Sequence, residues 1–237
     1  MEVKTAIRSA AVKLAPKIVK LNLAFNPISR EDTHALLSMS RDQEVVATVA
    51  IVTPYPPVQE AIFKRYSSFL GICGSSYNDI LLCLANNKNK SERIKRSIAD
   101  IIKNSDEEYV KRLHRDEMSF ALMLVDCRMH NNSRYAGFFG ITEIIAADRN
   151  MSPAVHLEII DSMEFFIRKY GVHIYKADIL DASSGLKKGY YSALGARIHD
   201  VLDALCRNTS LNSYCTEELA ILKAEFDAAI IGKRRDV

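Results

Sequence analysis

The sequence predicts a mainly α-helical protein, built as one compact multi-helix domain or as two lobes, with at most a minor strand pair. Apolar residues recur at helical spacing through most of the chain, and typical helix-starting and helix-ending residues bound these segments. With 237 residues, of which 48% are hydrophobic and 26% charged, the chain has the length and composition of a folded globular protein. We therefore expect a sizeable core that needs no disulfide or metal to stabilise it.

A long, weakly charged stretch at residues 118–168 predicts the centre of this core. A polar joint at residues 130–134 interrupts it. The stretch can bury apolar area on several sides, and such burial stabilises a fold by roughly 25 cal/mol per Å² removed from water. We interpret it as the central helical layer.

The first predicted helix, residues 2–21, is amphipathic and basic. Pro16 is expected to kink or split it, because proline lacks an N–H donor and clashes with the preceding turn. Its basic flanks suit an anionic surface such as membrane headgroups, nucleic acid or an import machinery. A docked terminal helix with a solvated basic rim fits the same pattern. Its apolar stripe consists of Val3, Ile7, Ala10, Leu14, Ile18 and Leu21.

The next segments also predict helices. Residues 29–32 have the composition of a helix start, with acidic residues in the first turn. Residues 44–52 are rich in β-branched side chains and fit a buried strand or a helix, and their helical neighbours favour a helix. A break at residues 53–57 precedes a helix over residues 58–70, and Ser76 is expected to cap the following one.

A polar segment at residues 86–90 predicts an exposed loop and a joint between two lobes. The N-terminal helical lobe would span residues 1–88 and contain the basic amphipathic first helix. The C-terminal helical lobe would span residues 89–237 and contain the apolar core layer. A basic helix over residues 91–104 is expected directly after the loop.

Later helix boundaries are predicted from individual residues. Residues 105–108 have capping-box spacing and should begin a helix. Ser152 and Pro153 suit the N-cap and the first helical position, and Gly171 suits the end of that helix. Residues 172–180 alternate partly between apolar and polar, so they predict the most strand-like segment of the chain.

Two long apolar stripes, at residues 186–205 and 219–230, predict the last two helices. Gly189 and Gly195 each cost a helix about 1 kcal/mol relative to alanine, so we expect close helix packing to explain them. Thr216 is expected to cap the last helix.

The cysteines and the hydropathy pattern exclude several classes of protein. Without a Cys-x-x-Cys pair, the sequence indicates neither a disulfide framework nor a zinc knuckle. No apolar run approaches the roughly 18 to 20 residues that span a bilayer, and we find no secretory segment. We therefore expect an intracellular, cytoplasmic protein without a cofactor or a metal. The five cysteines are Cys73, Cys83, Cys127, Cys206 and Cys215.

Motifs for catalysis are mostly absent. We find no Walker A loop, no dinucleotide-binding glycine motif, no nucleophile elbow and no H-E-x-x-H. His156 and Glu158 have the H-x-E spacing of zinc deaminases, but no P-C-x-x-C follows to complete the zinc ligands. Asp126, Cys127 and His130 could share a helix face as a Cys–His pair. We favour the interpretation that they are a polar end of a core helix.

Arg168 and His173 have an R-x4-H spacing that resembles the motif of HEPN-type ribonucleases. The resemblance implies an enzyme in which these two side chains act together on an RNA phosphate. Gly171 lies inside the motif and is expected to break the helix that would present the pair. Three further histidines have no carboxylate or histidine partner at ligand spacing and are expected to be surface or hydrogen-bonded core residues. They are His34, His114 and His199.

Positive charge is concentrated in two segments, although the net charge is only +3. Lysine and arginine neutralise phosphates and release counterions, so such segments predict salt-sensitive binding that does not read a base sequence. No aromatic residue is interleaved with the second segment, so base stacking is not expected there. A solvated helix face is the alternative interpretation. The predicted polyanion-binding residues are Lys4, Arg8, Lys13, Lys17, Lys20, Lys88, Lys90, Arg93, Lys95 and Arg96.

These observations predict a non-enzymatic binding and assembly protein that engages a nucleic-acid backbone or an anionic membrane surface. Small helical nucleocapsid and matrix proteins are an architectural analogy for it. Self-association through apolar helix faces is expected. Two alternatives stay open: a helical adaptor for a protein partner, based on the apolar stripes of the last two helices, and an RNA-cleaving enzyme that uses Arg168 and His173.

Overall fold

The computed structural model describes residues 43–67, 75–126, 137–179 and 185–231, and in these ranges the chain forms nine helices and no strand. The mainly α-helical prediction is confirmed for this part of the chain. The helices are α1 (Gln43–Val52), α2 (Pro56–Ser67), α3 (Ser75–Ala85), α4 (Glu92–Lys103), α5 (Glu107–Asp126), α6 (Gly140–Ala147), α7 (Pro153–Ile179), α8 (Gly185–Arg207) and α9 (Ser213–Ile231).

The described residues form two compact units. The first contains α1, α2, α3 and the start of α4, and the second contains the rest of α4 and helices α5 to α9. The division falls within α4, between Ile98 and Ala99. The lobe boundary predicted after Lys88 stays a prediction, because compact packing alone does not define domains that fold independently.

Helix α1 occupies the β-branched stretch that fitted either a strand or a helix. Val46, Val49 and Ala50 are buried at the i, i+3 and i+4 spacing of one helix face, and α1 packs against α3. The preference for a helix is therefore confirmed. Helix α2 begins at Pro56, inside the predicted break, because proline is tolerated in the first helical turn. Helix α3 begins at Ser75, so Ser76 lies inside the helix rather than before it.

The prediction that residues 86–90 form an exposed loop is wrong for the first part of the loop. Asn86 and Asn87 are both buried, and Lys88 and Asn89 are exposed. The Asn87 side-chain amide donates to the carbonyls of Ala50 and Thr53 at 2.7 and 2.8 Å. Buried polar side chains are stable when they are hydrogen-bonded, so a polar sequence does not by itself predict that this loop is exposed.

Helix α7 is the centre of the second unit, where it packs against α5, α6, α8 and α9. Its predicted stripe is confirmed, since Val155, Ile159, Phe166 and Tyr170 are all buried. The Phe166 ring meets the Phe139 ring edge-on, with 5.0 Å between the centroids.

The apolar stripes of α8 and α9 also face the interior of the second unit. Close packing explains one of the two glycines in α8. A Cβ atom at Gly195 would lie 2.6 Å from Cγ2 of Ile174 in α7, a distance that real side chains do not tolerate. The buried stripe residues are Leu194, Ile198, Val201, Leu205, Leu219, Leu222 and Phe226.

The predicted helix end at Gly171 and the predicted strand after it are both wrong. Helix α7 continues through Gly171 to Ile179. A glycine inside a helix costs about 1 kcal/mol, whereas burying a side chain such as Ile174 contributes about 1.5 to 3 kcal/mol. Ile174 is buried one turn after Tyr170, so the apolar stripe extends past the glycine and carries the helix with it.

Two predicted helix caps differ from the observed ones. Asp106, rather than Ser105, caps α5: its carboxylate accepts a hydrogen bond from the Tyr109 N–H at 2.8 Å. Asn212, rather than Thr216, caps α9, because its side-chain oxygen accepts from the Cys215 N–H at 2.8 Å. Each true cap lies immediately beyond a helix end, where Asp and Asn reach the exposed N–H groups. The cap at Ser152 is confirmed, with Oγ 3.4 Å from the Val155 nitrogen.

Several predictions concern residues outside the described ranges. These are the basic helix at residues 2–21, the helix start at residues 29–32, the polar joint at residues 130–134, and His34, Cys73 and Cys127.

Candidate functional site

The described basic residues of the predicted polyanion-binding set lie in the loop after α3 and in the first turns of α4. None of the five is buried. Lys88, Arg93 and Arg96 are exposed, and Lys90 and Lys95 are half-buried. We call Lys88, Lys90, Arg93, Lys95 and Arg96 the basic cluster.

Two buried side chains hold the loop that presents this cluster. Gln59 of α2 donates to the carbonyls of Thr53 and Asn89, each at 2.9 Å, and its side-chain oxygen accepts from the Ser91 N–H at 2.9 Å. Asn87 anchors the same loop from within: its side-chain oxygen accepts from the Asn89 N–H at 2.8 Å. Because these bonds fix the backbone on both sides of Lys88 and Lys90, the fold supplies a preformed loop.

Helix α4 places the arginines and Lys95 on different sides. Its apolar face, Ile94, Ile98 and Ile102, is buried. At about 100° per residue, Arg93 and Arg96 lie on the side opposite these isoleucines, and Lys95 lies beside them. The structure therefore brings Arg93 and Arg96 together on the outer face and leaves Lys95 at its edge.

The edge of the cluster includes residues from α2. Arg93 pairs with Glu60, with 3.0 Å between Nη1 and Oε2, and the Arg93 side chain stays 77% exposed. Lys64 is exposed one helical turn after Glu60, so it lies on the same side of α2. Sequence reasoning missed the Glu60–Arg93 pair, because the two residues lie on different helices and far apart in the sequence. The other predicted binding residues, Lys4, Arg8, Lys13, Lys17 and Lys20, lie outside the described ranges.

The second unit contains a buried polar chain that sequence reasoning also missed. Glu117 is fully buried and accepts hydrogen bonds from the backbone N–H groups of Ile141 and Thr142, at 2.9 and 2.7 Å. It also accepts from the Thr142 hydroxyl at 2.7 Å. His114 Nδ1 lies 3.0 Å from that hydroxyl, and His114 Nε2 lies 2.9 Å from the Ser162 hydroxyl. The network therefore runs from Ser162 through His114 and Thr142 to Glu117.

The order of groups in this chain resembles an acid–base relay, but its surroundings give it a structural role. Phe139, the N-cap of α6, has a left-handed backbone (φ 57°) and makes no side-chain cap, so Glu117 supplies the missing acceptor. Ser162 lies in the middle of α7, where backbone N–H groups are used by the helix and cannot stabilise an oxyanion. Burial lowers the pKa of His114, although the nearby Glu117 opposes the shift.

The two residues with H-x-E spacing have separate partners. His156 is buried, and its Nε2 lies 3.2 Å from the side-chain nitrogen of Asn208. Glu158 instead accepts hydrogen bonds from Arg115 at 2.7 and 3.2 Å. Across the four described ranges, no group of three His, Cys, Asp or Glu residues could hold a metal ion. Burial lowers the pKa of His156, which favours its neutral form.

Arg168 and His173 both lie on α7, so the expected helix break between them is absent. Five helical residues correspond to about 140° of rotation, which directs the two side chains apart. Arg168 pairs with Glu164 at 2.5 Å, and the His173 ring stacks on the Tyr191 ring with centroids 5.1 Å apart. Each side chain therefore has another partner in the structure, and the R-x4-H interpretation stays a prediction.

One prediction about the histidines is wrong. Asp203 lies one turn after His199, with 3.8 Å between His199 Nδ1 and the carboxylate, so this histidine does have a carboxylate at ligand spacing. Asp203 also binds Lys223 and Arg207, at 2.9 and 3.3 Å. The hydrogen bond from Lys223 lowers the pKa of Asp203. This cluster is a surface ion-pair network.

The three described cysteines differ in their exposure to solvent. Cys83 and Cys215 are buried, and Cys206 is exposed. Burial raises the pKa of the Cys215 thiol, which favours its unreactive protonated form. The motif of Asp126, Cys127 and His130 lies largely outside the described ranges.

None of the helices in the described ranges is long and apolar enough to cross a bilayer. No protein-family model, no curated protein and no solved structure matches this chain.

Proposed function

We propose that this protein is a non-enzymatic binding and assembly protein that engages the phosphate backbone of nucleic acids through the basic cluster. The observation that carries the proposal is that five basic side chains, none of them buried, lie on a loop and helix that Gln59 and Asn87 hold in place. Lysine and arginine bind phosphates without reading bases. The binding is therefore expected to depend on salt and to tolerate any sequence.

Two features favour nucleic acid over a membrane surface. A helix that lies in a membrane interface inserts an exposed apolar face, whereas the apolar face of α4 is buried. In addition, every exposed large hydrophobic residue of the described ranges belongs to the second unit. Among the described side chains of the first unit, no exposed large hydrophobic residue accompanies the basic cluster as an apolar anchor.

The adaptor alternative loses the observation that motivated it. It depended on the apolar stripes of α8 and α9, and the described residues of both stripes are buried inside the second unit. A partner could reach them only by unfolding the core.

The test is binding to fluorescent single-stranded RNA and to anionic liposomes across a salt series. Three exposed side chains that each neutralise one phosphate should contribute a slope of about −2 to log K against log salt. The triple variant K88E/R93E/R96E is expected to lose most of the affinity and this part of the slope. A matched control, R112E/R149E/R207E, changes the net charge equally at exposed residues of the second unit.

The two variants separate a site from a general charge effect. Equal binding by both would contradict the proposal, because net charge alone would then explain the affinity. Binding to liposomes but not to RNA would show that the ligand is an anionic membrane surface and not a nucleic acid. Absence of binding to both at low salt would make the basic cluster an ordinary solvated surface.

A further inference from the structure

Four large hydrophobic residues are exposed in the described ranges, and they occur as two pairs in the second unit. Phe165 and Val172 of α7 are 47% and 53% exposed. Tyr214 and Ile221 of α9 are 55% and 57% exposed. These side chains lie outside the buried core of the same helices, so helix packing within the second unit does not account for them.

The two hydrophobic pairs have the same spacing, and the charged residues between their members have opposite signs in the two helices. In each pair an aromatic residue precedes an aliphatic one by seven positions, which puts them on one helix face about 10.5 Å apart. Two charged residues lie between them at the third and fourth positions, basic in α7 and acidic in α9. The basic stripe is Phe165, Arg168, Lys169 and Val172, and the acidic stripe is Tyr214, Glu217, Glu218 and Ile221.

The basic stripe is ordered within its own helix. Arg168 pairs with Glu164 one turn before it, and its side chain is 71% exposed. The Lys169 ammonium lies over the rings of Phe165 and Tyr170, at 5.6 and 5.1 Å from their centroids. An exposed ion pair contributes little to stability, so Arg168 can exchange Glu164 for a carboxylate on another molecule at little cost.

We propose that the basic stripe of one copy docks on the acidic stripe of a second copy. The charges identify the partner: Arg168 and Lys169 meet Glu217 and Glu218 when the aromatic and aliphatic anchors at both ends are in contact. Packing a stripe on its own equivalent would instead oppose like charges. Reciprocal docking closes a dimer, and one-way docking builds an open chain. The inference rests on the assembly part of the proposed function.

Sedimentation velocity of the full chain without nucleic acid tests this contact. The wild type is expected to sediment faster as the protein concentration rises roughly a hundredfold. R168E/K169E and E217K/E218K should each lose this dependence, because each variant carries two stripes of the same sign. An equimolar mixture of the two variants should recover it, because each stripe of one variant then meets an opposite stripe on the other.

The mixture also guards against variants that fail to fold, since an unfolded chain could not restore the assembly. Lys103→Glu, an exposed charge reversal in α4 and outside both stripes, is expected to behave as wild type. A wild type that stays monomeric throughout, or a mixture that stays monomeric, would overturn the proposal. Because nucleic acid is absent, failure here leaves the binding by the basic cluster unaffected.

Discussion

Removing the buried Glu117 carboxylate should destabilise the protein far more than removing an exposed one. Three donors point at Glu117, and hydrogen bonds to a charged acceptor contribute about 1.5 to 3 kcal/mol each. Such contributions are not additive, and breaking a buried charged contact typically costs about 3 to 5 kcal/mol. We therefore expect Glu117→Ala to lower the free energy of unfolding by about 3 to 5 kcal/mol. This is a large part of the roughly 5 to 15 kcal/mol of a typical domain.

The assay is urea unfolding followed by circular dichroism, with two further variants. Glu117→Gln keeps the shape but turns an NH₂ group toward at least one donor, so it should cost about 2 kcal/mol. Glu108→Gln is the control, since Glu108 is exposed and its pair with Arg115 is 3.6 Å long. If all three variants unfolded within about 0.5 kcal/mol of wild type, Glu117 would not be the cap that we infer for α6.

Three further predictions concern packing, pH and the loop. Gly195→Ala should lower the free energy of unfolding by about 1 to 2 kcal/mol, because overpacking against Ile174 exceeds the gain in helix propensity. A variant that is more stable than wild type in the same assay would contradict this close contact. Burial lowers the pKa of His114 and His156 below the ordinary value of 6.5. As the pH falls below that value, the unfolded chain therefore binds more protons than the folded protein does. Stability should then decrease by at most about 1.4 kcal/mol per pH unit for each histidine, and urea midpoints that are constant from about pH 7 to about pH 5 would refute this. Asn87→Ala should speed hydrogen exchange in the loop that follows and weaken RNA binding, whereas unchanged exchange would show that the loop does not depend on this amide.

The fold class was predictable because apolar spacing and helix signals agree along most of the chain. The wrong predictions occur where a local sequence preference and tertiary packing favour different structures. Gly171 is a helix stop by propensity, yet burial of Ile174 beyond it outweighs the glycine. The sequence does not single out Asp106 and Asn212 as caps, because neighbouring residues fit the capping pattern as well. The true boundary depends on where packing starts the helix.

The candidate site was predictable in part, because clustered charge is visible in the sequence. What the sequence could not indicate is which distant side chains hold the charged loop in place. Gln59 accepts a hydrogen bond from the backbone N–H of Ser91, which lies 32 residues later in the chain. Glu117 accepts one from the N–H of Ile141, which lies 24 residues later. Neither belongs to a motif, since a hydrogen bond across such separations is created by the fold alone.

The buried amide of Asn87 has a consequence for the kinetics of binding. Ordering a flexible loop of five residues on contact with a ligand would consume about 1 to 2 kcal/mol of binding free energy per residue. Here folding has already ordered residues 86–90, through the bonds of Asn87 and Gln59. In the proposed complex, the first encounter with a polyanion would therefore need no conformational search, which favours faster association than a flexible loop would allow.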